Sequence, residues 1–108
     1  MTETMMAVRK MRSAPGLELC ELPVPEPKKD ELLVKVNACS MCGTDIHIYN
    51  WEPPWSTGRF VPPKTLGHEA CGTVVEKGKN VKSINIGDSV SAESHIFCSQ
   101  CDQCRAGN

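Results

Sequence analysis

Two groups of residues in this sequence have the types and spacing to hold metal and move protons. Cys98, Cys101 and Cys104 form a CxxCxxC run whose spacers, Ser99, Gln100, Asp102 and Gln103, are all polar. Thiolates a few residues apart on a tight loop converge on one soft, tetrahedrally bound ion such as zinc. Buried cysteines also serve as small apolar side chains, and the polar spacers count against that reading. The second group is dispersed: CGTDIH from Cys42 to His47, and GHE from Gly67 to Glu69. Cys42, His68 and Glu69 offer a thiolate, an imidazole and a carboxylate, a donor set of the kind found in open catalytic zinc sites. Taken singly, Cys42 reads as well as a core residue, and His68 as a hydrogen-bonded structural histidine. Both readings stay open at this level.

The chain of 108 residues, 40% hydrophobic and 23% charged, suffices for one domain with one modest core. Its formal net charge of -1 gives no electrostatic footprint for nucleic acid or an anionic membrane surface. No apolar run approaches the ~18 residues of a membrane span, and the opening MTETMMAVRK lacks the apolar stretch of a secretory signal. The expected location is therefore the cytoplasm, with neither nucleic acid nor membrane as a partner. There the seven cysteines read as thiols, because cytosolic reductants oppose structural disulfides. A disulfide-rich secreted domain is set aside on the same grounds.

The elements that must position these residues are strands and turns. Met5 to Met11 is mixed apolar and basic, and LELCEL from Leu17 to Leu22 alternates as a half-buried strand does. Pro15-Gly16 between them predicts a hairpin. Pro23, Pro25 and Pro27 make the next segment an extended connector. Glu31 to Asn37 and Ala70 to Glu76 have strand composition, and Asp88 to Ala92, entered through Gly87-Asp88, reads as a further strand. Ser40 to Ile48 alone reads as a helical turn, with Ser40 as its cap. Tyr49 to Pro63 carries four prolines and both tryptophans and reads as a long ordered loop beside a site. Short strands, Gly and Pro turns and no long amphipathic helix predict a mostly β domain, a small barrel.

In their order along the chain, CGTDIH, LGHE (Leu66 to Glu69), GTVVEKG (Gly72 to Gly78), GDSV (Gly87 to Val90) and CxxCxxC resemble the N-terminal catalytic domain of zinc-dependent medium-chain alcohol dehydrogenases. Within that family, CGTDIHIYNW and the ESHI ahead of the cysteines are similar to the threonine dehydrogenase branch. Sorbitol and butanediol dehydrogenases share CG-S/T-D and GHE and are the near alternatives. The resemblance implies a mostly β, GroES-like, partly open barrel with short helical turns, spanning 1–108 and lacking the Rossmann domain. It implies Cys42 and His68 as ligands of a catalytic zinc, Glu69 as a third or swinging ligand, and Asp45 as the partner that orients His68. Thr44 would touch the substrate alcohol and, through the nicotinamide ribose, pass its proton to His47. Zinc lowers the alcohol's pKa, but the proton must leave before hydride does.

Plainer roles stand beside these: His47 as a surface histidine, Asp45 as an exposed turn aspartate. His95 stands where threonine dehydrogenases carry a histidine that shapes substrate preference, with a packing role equally open. Tyr49, Trp51 and Trp55 line the substrate entrance or, more plainly, pack the loop. Cys98, Cys101 and Cys104 would be three ligands of a structural zinc, the family's fourth cysteine falling after a seven-residue spacer. The reaction implied is oxidation of the 3-hydroxyl of L-threonine, a small-molecule alcohol, to 2-amino-3-ketobutyrate with NAD. The sequence has no GxGxxG. We therefore expect the front portion of a longer homo-oligomeric enzyme, a tetramer by the resemblance, ending within a structural-zinc lobe at 93–108. Alone, that portion should neither bind NAD nor oxidise the alcohol. A reading from another class is a freestanding zinc or iron module without catalysis.

Overall fold

The computed structural model describes residues 3–58, 60–93 and 98–107. The elements along the chain are β1 (Thr4–Lys10), β2 (Glu18–Pro23), β3 (Leu32–Ser40), α1 (Gly43–Asn50), β4 (Lys64–Thr65), β5 (Glu69–Lys77), β6 (Ser89–Ser91) and α2 (Asp102–Arg105). A single 3₁₀ turn over Trp55–Thr57 interrupts the proline-bearing loop. The strands form two three-stranded antiparallel sheets, ordered β2-β1-β4 and β3-β5-β6. No ladder joins the two sheets among the described residues, so the expected barrel is open. Among the described residues, no helix is long and apolar enough to cross a membrane.

The predicted hairpin is present, with β1 and β2 paired from Thr4↔Pro23 to Arg9↔Glu18. Its inward face differs from the simple alternation of LELCEL. Cys20 and Leu22 are half-buried, whereas Leu19 is 68% exposed, because the pairing to β1 puts Cys20 opposite Ala7. The predicted strands at Glu31–Asn37, Ala70–Glu76 and Asp88–Ala92 correspond to β3, β5 and β6. β4, only two residues long, has no local signature.

The β3·β5 ladder contains two register shifts, one between Leu33 and Val34 and one between Val36 and Ala38. Gly72 lies opposite Val36 at the second shift, where a Cβ would stand 2.1 Å from the Lys35 carbonyl oxygen. Only glycine permits that approach. The shift lets the far ends of the two strands pair as Ser40↔Glu69, which sets the site described below.

The core is thinner than its composition suggests: Ala7, Ile48 and Val74 are its buried apolar residues among those described. Lys10 is also fully buried. Its Nζ donates to the carbonyls of Ala14, Gly16 (2.9 Å) and Tyr49 (3.3 Å), and lies 5.0 Å from the Trp51 ring centroid. Gly16 N donates to the same Tyr49 oxygen at 2.8 Å. An ammonium at the carbonyl end of a helix is favourable on dipole grounds, so Lys10 ties the hairpin to the C-terminal end of α1. Burial, helped by the Arg12 guanidinium, lowers the Lys10 pKa from its ordinary value.

Candidate functional site

α1 begins at Gly43, and its cap is Cys42 rather than the predicted Ser40. Ser40 is still strand, paired with Glu69. Asp45 decides the start: its Oδ2 reaches back to accept the Cys42 amide at 3.0 Å, the acidic half of a capping box. Asp45 is 1% exposed, so the reading of an exposed turn aspartate is wrong. Its Oδ1 lies 3.8 Å from His68 Nδ1, too far for a hydrogen bond but close enough for an electrostatic contact.

Glu69 opens β5, and His68 immediately precedes it. Gly67 precedes them with φ 102, and a Cβ there would sit 2.9 Å from Cys39 Sγ. Glycine is thus required to turn the chain onto the strand. Ser40 Oγ donates to Glu69 Oε2 at 2.5 Å, which leaves the other carboxylate oxygen for a further partner. One donor atom each from Cys42, His68 and Glu69 lies within 4.8 Å of the other two. The dispersed cluster of the sequence is therefore a real constellation. It borders a cleft of about 500 Å³ lined by Cys39, Ser40, His68, Glu69, Cys71 and Glu93, among others.

Thr44 and His47, three residues apart on α1, share a face of the helix, Thr44 half-buried and His47 exposed. His47 is not a bare surface side chain. Its Nδ1 lies 2.5 Å from Glu52 Oε2, and this bond to His47 holds the Glu52 carboxyl below the usual carboxylate range. Sequence reading missed Glu52 because it lies beyond the helix end. Of the loop aromatics, Trp51 packs edge-on against Phe60 with centroids 6.3 Å apart, which favours packing for that residue. His95 lies outside the described residues.

The CxxCxxC lobe is equally compact. Cys101 Sγ lies 3.4 Å and Cys98 Sγ 3.8 Å from Cys104 Sγ, close to the ~3.8 Å edge of a tetrahedron with ~2.3 Å zinc–sulfur bonds. The amides of Gln100 and Cys101 both point at Cys98 Sγ, each at 3.4 Å. These backbone donors, with the neighbouring thiols of Cys101 and Cys104, lower the Cys98 pKa to about 7. Cys101 caps α2 and is held in the same direction, foremost by the Cys104 amide. All seven cysteines are free.

Comparison with known proteins settles what kind of domain this is. The profile of the family described as "Alcohol dehydrogenase GroES-like domain" matches residues 28–108. The chain belongs to that family. This GroES-like domain is 51% identical, over 107 residues and 99% of its length, to the L-threonine 3-dehydrogenase of Symbiobacterium thermophilum, of which it covers 30%. It superposes with a TM-score of 0.81 and 42% identity on a Sinorhizobium meliloti 1021 protein assigned as a zinc-binding dehydrogenase and solved with NADP. That match covers 97% of this chain and 29% of the other. A cobalt- and zinc-bound thermostable alcohol dehydrogenase of Pyrobaculum aerophilum gives a TM-score of 0.80 at 28% identity, over 97% of this domain and 31% of that chain. The domain thus spans about 30% of the length of the curated relatives it matches.

Proposed function

We propose that this domain is the zinc-bearing, alcohol-binding part of an NAD-linked dehydrogenase that oxidises L-threonine, with Cys42, His68 and Glu69 holding the catalytic metal. The observation that carries the reading is the convergence of those three donors beside the ~500 Å³ cleft, in a chain about half identical to L-threonine 3-dehydrogenase. A soft thiolate, an imidazole and a carboxylate suit zinc, and 4.8 Å is near enough for modest side-chain movement to close on one ion. Zinc bound there would supply a Lewis acid for the alcohol oxygen. Ser40 steadies one oxygen of Glu69, and Asp45 faces His68 from the buried start of α1. Thr44 receives the substrate's hydroxyl proton as its own hydroxyl proton leaves, and His47, exposed on the same helix face, takes up the released proton and passes it to water. Cys98, Cys101 and Cys104 contribute three ligands to a second, structural zinc. We place the NAD-binding residues outside residues 1–108, since the sequence carries no GxGxxG. Free thiols throughout accord with a reducing, cytoplasmic setting.

The test is zinc content and substrate-dependent NAD reduction in the native full-length protein. Cys42→Ser and His68→Ala should each lose one zinc and all turnover. Thr44→Ala and His47→Asn should keep zinc and slow turnover ~10²- to 10⁴-fold. Unchanged zinc in both ligand variants would remove the metal site, and faster turnover of sorbitol or butanediol than of L-threonine would move the substrate to the polyols.

A further inference from the structure

α1 ends at Asn50, and the next residue, Trp51, has a left-handed backbone with φ 60, a conformation uncommon for a bulky side chain. The Trp51 ring meets Phe60 edge-on, and the buried ammonium of Lys10 lies over it. The chain consequently doubles back under the last turn, and the Glu52 amide donates to the His47 carbonyl at 3.0 Å. The Glu52 carboxylate then reaches His47 Nδ1 at 2.5 Å, while Asn50 Nδ2 donates to its other oxygen at 3.3 Å. Around this pair, Lys10 lies at the carbonyl end of α1 and Asp45 in its first turn. The 3₁₀ turn Trp55–Thr57 packed against the helix brings no ionisable group.

We propose that Glu52 is the positioning residue that fixes His47 as the Nδ1–H tautomer, leaving Nε2 as the proton acceptor. The proposal rests on the relay role assigned to His47 above. An ionised carboxylate only accepts, so the hydrogen in this bond belongs to Nδ1, and a neutral imidazole carrying it there has a free lone pair on Nε2. A free imidazole prefers the opposite tautomer, with the hydrogen on Nε2, and cannot accept there. A proton arriving at Nε2 converts His47 to imidazolium. Glu52 remains a carboxylate beside it, and the proton then passes from the exposed ring to water. Glu52 touches neither substrate nor cofactor in this scheme; it acts through His47.

The experiment uses the native full-length protein labelled with nitrogen-15 at histidine, with the His47 signals assigned by their loss in His47→Asn. In the parent, the nitrogen shifts should report hydrogen on Nδ1. Glu52→Ala should move it to Nε2 and lower kcat about tenfold with KM for the alcohol unchanged, less than the ~10²-fold minimum for losing a general base altogether. Glu52→Gln, whose amide oxygen still accepts from Nδ1, should restore the tautomer and most of kcat. Persistence of the Nδ1–H form in Glu52→Ala would overturn the proposal. So would a tautomer switch with unaltered kcat while His47→Asn is slow. If His47→Asn itself turns over normally, the relay reading falls and the positioning role with it, and the nitrogen shifts alone then report the Glu52 contact.

Discussion

Asp45→Asn separates the two tasks the structure gives this side chain. One carboxylate oxygen holds the Cys42 amide at 3.0 Å and starts α1; the other faces His68 Nδ1 at 3.8 Å. An asparagine oxygen can still accept the amide, so the cap survives and folding stability should change by less than about 1 kcal/mol, the usual value of a whole cap. The amide NH₂ would then face the imidazole, replacing a negative charge with a donor. With His68 as a zinc ligand, as proposed above, and the 3.8 Å contact electrostatic only, the loss of metal affinity should fall at the low end of the ~10- to 100-fold range for a hydrogen-bonded partner, about 1.4 kcal/mol. Asp45→Ala loses both tasks and should add about 1 kcal/mol of destabilisation. Zinc affinity is read by competition with a chromophoric chelator, and stability by thermal unfolding of the metal-free protein. Wild-type zinc affinity in Asp45→Asn, together with clear destabilisation in Asp45→Ala, would reduce Asp45 to a helix cap and refute the reasoning.

Two further outcomes are expected. Lys10→Met strips a buried donor from three carbonyls and should lower unfolding free energy by about 3 kcal/mol, measured by denaturant unfolding; a change near zero would show that Lys10 does not tie the hairpin to α1. Burial lowers the Lys10 pKa below its ordinary 10.5, so above the folded value the unfolded chain binds more protons, and this group's contribution to stability should rise with pH up to about 10.5. In the metal-free protein, Cys98 should alkylate with a midpoint near pH 7 rather than the ordinary 9.0. Its thiolate favours the folded lobe fully above about pH 9 and no longer below about pH 7. Added zinc should suppress the reaction, and a midpoint near 9 would remove the influence of the Gln100 and Cys101 amides.

The parts of this fold legible in the sequence are those whose cause is local. β3 and β5 were readable because Leu33, Val34, Val36, Val74 and Val75 suit a pleated surface wherever the strand lies in the chain. The two donor clusters were readable because Cys98, Cys101 and Cys104 are close in sequence and because His68 and Glu69 directly follow Gly67, which turns the chain. The start of α1 was misread because serine is the better intrinsic cap, yet it is Asp45, three residues after Cys42, that selects the cap actually used. β4 depends on pairing two residues of a loop with Arg9 and Lys10. No periodicity can announce a strand that short.

Lys10 and Glu52 were illegible for a different reason, and the same reason connects them. A lysine beside an arginine in a strand reads as solvated; its burial depends on the Tyr49 carbonyl and the Trp51 ring, about forty residues away. Glu52 reaches His47 only because Trp51 turns the chain through a left-handed backbone, which composition does not foretell for tryptophan. Lys10 sits against the ring that occupies this turn, and Glu52 is the residue the turn delivers. The ammonium that ties the hairpin to α1 therefore also supports the geometry that presents Glu52 to His47. A disturbance at Lys10 should reach His47 through the backbone of Trp51 and Glu52, with no direct contact between the two side chains required.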